Sequence, residues 1–272
     1  MSGFFPLVRK HLVEAKWVLG ISVLGLFAIG WLRSWDTASF LTDPKRQENA
    51  RRMAEAFGRP MTDIPTALRR EVEFWIFPFI VLPVLIWAIA RGSIAVGGEL
   101  ERGTLDLTLA RPVRRSTFLA SHVAVGVGGL VLIAGGLVLG HVVGNVVHRV
   151  PSAPSVADLA RPGANLALLG FAIFGYTLLV SSGDVVRWRA TMIGSVLTIL
   201  GLILQGIANL EVLARFKKYL ENASVFKRYD PMDAAIAGKD LALNLQVLAA
   251  IGVLGITIAF VIFNRRDLPA TG

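Results

Sequence analysis

The sequence contains no cysteine, which excludes disulfides, thiolate metal sites and catalysis by a thiol. Charge is also scarce, since Asp, Glu, Lys and Arg together make up 17% of the chain while hydrophobic residues make up 54%. The mean hydropathy is +0.61. A chain of 272 residues with this balance belongs to the integral membrane class. We expect a single transmembrane domain over residues 1–272.

Two sequence features that are absent exclude or disfavour particular classes of function. The phosphate-binding pattern Gly-x-x-x-x-Gly-Lys-Ser/Thr does not occur, so we expect no ATP binding of that type in this chain. The middle of each apolar segment lacks Asp and Glu, which disfavours an intramembrane enzyme that would need paired acids at depth. The net charge of +9 is typical of membrane topology and lipid contact, and we expect no nucleic-acid partner.

Long apolar runs are what the sequence does have. Their lengths predict an all-α integral membrane protein with six transmembrane helices. The predicted spans are residues 17–32, 74–96, 117–147, 165–182, 190–210 and 243–263. Between the first two, Asp43 and Pro44 predict the start of a polar helix that ends near Phe57, lying on the outer membrane surface. The segment from Pro151 to Pro162 is predicted to be a loop.

Six spans place both termini on the same side of the membrane. The predicted outer segments hold more Lys and Arg than the inner ones, but those outer cations lie mostly in long loops, which the positive-inside rule discounts. We therefore expect a multi-pass protein of the cytoplasmic membrane with both termini in the cytoplasm. Arg91, near the inner end of the second span, is expected to extend to the lipid headgroups.

The third span carries two sets of spaced residues. Gly136, Gly140 and Gly144 are four apart, which favours close approach of another helix within the bundle or across a dimer. His141 and His148 are seven apart on one side of the same span. The remaining histidines are at positions 11 and 122, and none is on a later span. We therefore expect no facing helix to supply a second imidazole, and no metal site.

Residues 97–115 form a charged insert between the second and third spans. Gly97 and Gly98 precede it, and acidic residues followed by a proline predict a helix from Glu99 to Ala110, about 18 Å long. In this helix Glu99, Arg102 and Asp106 would form a polar stripe, with one leucine face made by 105 and 109 and another by 100 and 107. Two apolar faces indicate two contact surfaces. The alternative is an interfacial helix with its leucines among the headgroups.

The order of residues in this insert resembles the cytoplasmic loop between the second and third helices of type-2 ABC transporter permeases. In that family the loop has two Glu, Gly-Thr-Leu, a run of leucines and Pro-Val-x-Arg. The matching residues are Glu99, Glu101, Gly103, Thr104, Leu105, Leu107, Leu109, Pro112 and Arg115. One departure is His122, near the position where many relatives have a Lys.

The resemblance implies a permease subunit that exports a substrate and has no catalytic residues. ATP and Mg²⁺ would bind to a separate cytoplasmic ATPase, so no cofactor is expected in this chain. Leu105 and Leu109 would be the anchors in a groove of that ATPase, and Glu99, Glu101 and Arg115 would set the register through charge pairs. Two copies, surrounded by membrane lipid, would form the transport path. A membrane anchor or scaffold that transports nothing remains an alternative.

Overall fold

The computed structural model describes residues 3–58, 64–103, 113–208, 210 and 215–266. Helices dominate, and no β-strand occurs in these residues. The helices are α1 (Phe4–Thr42), α2 (Pro44–Ala56), α3 (Ala67–Val72), α4 (Pro78–Ser93), α5 (Arg115–Val147), α6 (Val156–Gly183), α7 (Arg187–Ile207), α8 (Lys217–Ala223), α9 (Pro231–Ala235) and α10 (Leu241–Arg265). Six helical segments are long and apolar enough to cross a membrane: α1, α5, α6, α7, α10, and α4 together with the turns that continue it to Glu101. The predicted all-α membrane class is confirmed.

The bounds of some spans differ from the prediction. Helix α1 has 39 residues, whereas the predicted span was 17–32. Charged residues flank the apolar part at both ends, and they mark the limits of the apolar part without ending the helix. Helix α6 begins at Val156, so the loop predicted up to Pro162 is wrong. The hydroxyl of Ser155 accepts a hydrogen bond from the backbone N–H of Asp158, and the carboxylate of Asp158 accepts one from the backbone N–H of Ser155. This reciprocal cap fixes the start of the helix, and Pro162 is accommodated within it.

Helix α4 begins later than predicted because Pro78 occupies its first turn, after a 3₁₀ turn at Glu73–Ile76. Proline favours this position and pushes the preceding Phe77 into an extended conformation (ψ 145°). At its other end α4 continues through a π-helical turn (Ile94–Gly98) and one further turn (Glu99–Glu101). The polypeptide that emerges from α4 therefore leads directly into the charged insert.

Helix α6 lies at the centre of the bundle, in contact with α4, α5, α7 and α10. Aromatic side chains fill the space between these helices, and Trp87, Phe118, Phe174 and Phe263 are fully buried. The first helix packs mainly along α5. The three glycines of the predicted packing motif face it: a Cβ on Gly140 would overlap the carbonyl oxygen of Phe27, and one on Gly136 would lie 2.8 Å from that of Val23. The glycine face therefore meets another helix of the same chain.

Contacts between helix ends establish which ends share a side. Lys10 near the start of α1 contacts Glu99 at the end of α4. Arg266, after α10, donates hydrogen bonds to the carbonyl oxygens of Ser182 and Asp184 at the end of α6. The start of α1 and the end of α10 thus lie on the side that carries the insert, as expected for six spans.

The opposite side is covered by the short helices. The carboxylate of Asp43 caps α2 by accepting from the Lys45 backbone, as predicted for this polar helix. The segment between α7 and α10 also covers this side. In it, the hydroxyl of Tyr229 donates a hydrogen bond to the carbonyl oxygen of Trp75 at 2.9 Å. Burial raises the pKa of Tyr229 above its ordinary value. This contact fixes the long loop to the turn that precedes α4.

Candidate functional site

The first residues of the insert are held against the first helix. Glu99 is fully buried, and its carboxylate lies 3.3 Å from the ammonium nitrogen of Lys10 and 3.4 Å from a guanidinium nitrogen of Arg102. Both cations are partly exposed, whereas the carboxylate is enclosed. Glu99 therefore pairs within its own chain and does not lie on an exposed stripe.

A second acidic side chain connects the insert to α7. The carboxylate of Glu101 accepts a hydrogen bond from the backbone N–H of Arg187 at 2.9 Å. That N–H belongs to the first residue of α7 and has no partner within the helix. A negative charge at a helix N-terminus is also favourable. Beside this contact lies a groove of about 590 Å³, lined by Gly98, Glu101, Arg102, Arg187, Trp188, Thr191 and Met192.

The π-helical turn before the insert is joined to α6 by one serine. The hydroxyl oxygen of Ser181 accepts from the backbone N–H groups of Val96 and Gly97, at 3.3 and 3.0 Å, and donates to the carbonyl oxygen of Ser93. A π turn leaves the regular α-helical hydrogen-bond pattern. Ser181 supplies partners to the backbone groups affected, so the end of α4 is joined to α6.

The far end of the insert is joined to the last helix. Arg115, the first residue of α5, donates to the carbonyl oxygen of Arg266 at 2.6 Å. The start of the insert therefore contacts α1, α6 and α7, and its last residue contacts the end of α10. Sequence reasoning missed these ties because they depend on which helix ends are neighbours.

The predicted unbroken helix from Glu99 to Ala110 is wrong, because it is interrupted after its first turn. The helical turn that begins at Glu99 ends at Glu101, and Gly103 has a φ of +65°, a left-handed conformation that ends a helix and suits glycine. Of the residues that carry the resemblance, Thr104, Leu105, Leu107, Leu109 and Pro112 lie outside the described residues, as does Asp106.

Arg91 does not reach the headgroups as expected. It is 5% exposed, with its guanidinium carbon 5.9 Å from the ring centroid of Trp87. Its Nε and one Nη atom have no hydrogen-bond partner within the described part of the chain. Arg91 faces inward because this part of α4 is surrounded by other helices.

The histidines are also arranged differently from the prediction. The rings of His11 on α1 and His122 on α5 lie against each other at an angle of 34°, with centroids 3.7 Å apart, and both residues are buried. The expectation that no facing helix supplies a second imidazole is therefore wrong for His122, since the long α1 does so. His148 lies beside Trp31, with ring centroids 4.8 Å apart.

A separate polar cluster lies towards the opposite side of the bundle. Glu71 and His141 are both buried, and a carboxylate oxygen of Glu71 lies 3.2 Å from Nδ1 of His141. The hydroxyl oxygen of Ser34 lies within hydrogen-bond distance of both side chains. The indole N–H of Trp75 donates to Nε2 of His141, so that nitrogen cannot accept a proton from a nucleophile. The cluster thus lacks the serine, histidine and acid relay of a hydrolase, in which the serine and the acid contact different imidazole nitrogens.

Comparison with known protein families identifies a family for this chain. The model of a family described as "ABC-2 family transporter protein" matches residues 9–268, nearly the whole chain. Among curated proteins, none matches.

Proposed function

Because the chain belongs to the ABC-2 transporter family, we propose that it is the permease subunit of an ATP-driven exporter and binds a separate ATPase through residues 99–115. ATP and Mg²⁺ would bind to that ATPase. The permease would then supply the membrane path and respond to movements of its partner through the insert.

The observation that carries this proposal is the attachment of the insert at both ends. Glu101 contacts the start of α7, and Arg115 contacts the end of α10. Ser181 joins the turn before the insert to α6. A displacement of the insert by a partner protein would therefore act on several spans together, as rigid-body movement of a bundle requires.

We further propose that the side with the insert and both termini is cytoplasmic, and that two permeases pair in the cytoplasmic membrane. An ATPase could reach the insert only from that side. Short loops rich in Lys and Arg favour the same orientation. Native mass spectrometry in a mild detergent tests the pairing through the mass of the assembly.

The experiment for the central proposal is co-purification. The tagged permease is expressed with the ATPase encoded beside it, as the native chain and as the double substitution Leu105→Asp/Leu109→Asp. We expect the ATPase to co-purify with the native chain and to be lost from the variant, because two carboxylates would be desolvated in an apolar groove.

A matched control places the same charges on the other side of the bundle. Met53→Asp/Phe57→Asp changes two exposed apolar side chains at the end of α2, and we expect it to retain the ATPase. Equal retention by the Leu105/Leu109 variant, at equal membrane insertion, would contradict the proposal and favour the interfacial helix. Absence of any ATPase with the native chain would favour the anchor or scaffold.

A further inference from the structure

Three buried side chains from different helices converge beneath the insert. They are His11 of α1, Glu99 at the end of α4 and His122 of α5. Each is at most 1% exposed, and one ligand atom from each lies within 4.8 Å of the others. From this geometry we propose a binding site for a divalent transition-metal ion of the Zn²⁺ type.

The hydrogen-bond pattern is the second observation that points to a ligand. None of the four ring nitrogens of His11 and His122 has a hydrogen-bond partner within the described part of the chain. Buried polar groups are usually paired, and a neutral imidazole offers a lone pair that suits Zn²⁺. A bound ion would satisfy one nitrogen on each ring.

The donor set fits this class of metal. Two histidines and a glutamate are a known zinc ligand set, with bonds of about 2.0–2.2 Å that place tetrahedral ligand atoms about 3.4 Å apart. Small side-chain movements therefore close the present separations. Glu14 lies 3.7 Å from Nδ1 of His11, where a carboxylate can orient an imidazole that binds metal through its other nitrogen.

The surrounding cations limit the affinity without blocking the site. Lys10 and Arg102 contact Glu99 now, but their side chains are 37% and 51% exposed and can turn into solvent when an ion replaces them. Lys10 and Glu14 also line a surface groove beside α1, so the side chain of Lys10 that contacts Glu99 borders water. Arg91 remains buried nearby.

The consequence for regulation rests on the proposed function. An ion bound to these residues would join the end of α4 to α1 and α5, and so oppose displacement of the insert. Binding itself is independent of any ATPase. The ligand can thus be tested on the permease alone, and failure of the metal site is distinguishable from failure of ATPase coupling.

The test is equilibrium dialysis of the purified full-length permease in detergent, after chelator treatment, against ZnSO₄. We expect one Zn²⁺ per chain, and an affinity about 100-fold weaker or more in His11→Gln and His122→Gln. His148→Gln is the matched control and should bind as the native chain does. Binding that survives His11→Gln/His122→Gln, or the absence of binding to the native chain, would overturn the proposal.

Two measurements on the native chain avoid any folding defect in the variants. Zn²⁺ should raise the Tm, since a ligand that binds only the folded state stabilises it, and Mg²⁺ at the same concentration should not. Zn²⁺ should also slow amide hydrogen exchange in residues 97–101. An unchanged Tm would count against the site, and unchanged exchange would count against its effect on the insert.

Discussion

Oε2 of Glu71 lies 3.2 Å from Nδ1 of His141, with both residues inside the bundle. The same carboxylate accepts from the side chain of Asn145 and lies 3.2 Å from the hydroxyl oxygen of Ser34. Trp75 donates to Nε2, the other imidazole nitrogen. In a neutral His141 the proton is therefore on Nδ1, which faces Glu71. Helix α3, which carries Glu71, and the turn before α4, which carries Trp75, are thereby joined to α1 and α5.

Removing this carboxylate should destabilise the protein strongly. Glu71→Ala would leave His141, Asn145 and Ser34 without their buried partner, and we expect a loss of about 2–4 kcal/mol. Thermal unfolding in detergent measures the change. Glu73→Ala is the control, because Glu73 is half exposed and pairs with Arg69 on the surface, where ion pairs contribute little. Equal effects of the two changes would refute this account.

The glycine face of α5 gives a prediction with an internal control. Gly140→Ala would force apart α1 and α5, since its Cβ would overlap the carbonyl oxygen of Phe27, and we expect a loss of about 1–3 kcal/mol or more. Gly135→Ala on the same helix meets nothing within 4 Å and should leave stability unchanged. Resistance to proteolysis in detergent separates the two variants. A Gly140→Ala protein as resistant as the native chain would contradict the packing described.

The spacing of these glycines could be recognised in the sequence, but the helix they meet could not. Helix α5 begins within two residues of its prediction because a long apolar run determines both ends. By contrast, the pairing of His11 with His122 depends on the extension of α1 beyond its apolar part. The contact of Glu71 with His141 depends on how the turn before α4 folds back into the bundle. Neither periodicity nor composition contains that information.

Ser181 should control the order of the turn that leads into the insert. Ser181→Ala removes the acceptor for the backbone N–H groups of Val96 and Gly97, so we expect faster hydrogen exchange at those amides. The hydroxyl of the neighbouring Ser182 donates within its own helix, to the carbonyl oxygen of Leu179, and Ser182→Ala is the control. If exchange at Val96 and Gly97 is the same in the two variants, the serine does not hold this turn.

Replacing Arg91 tests how a nearby buried positive charge affects the affinity of the proposed metal site. Its buried guanidinium is close enough to interact electrostatically with His11 and Glu99, and a fixed positive charge opposes the binding of a cation in a medium of low polarity. Arg91→Met keeps a long apolar side chain and removes that charge. We therefore expect Zn²⁺ to bind at least about tenfold more tightly to this variant.

Isothermal titration of the purified chains measures this difference. Arg161→Met, which removes a cation at the start of α6 on the opposite side of the bundle, should leave the affinity unchanged, so a gain confined to Arg91→Met would place the ion beside that residue. Equal or weaker binding by Arg91→Met would show that the ion binds elsewhere, because no ion coordinated by His11, Glu99 and His122 could be insensitive to a buried charge so near.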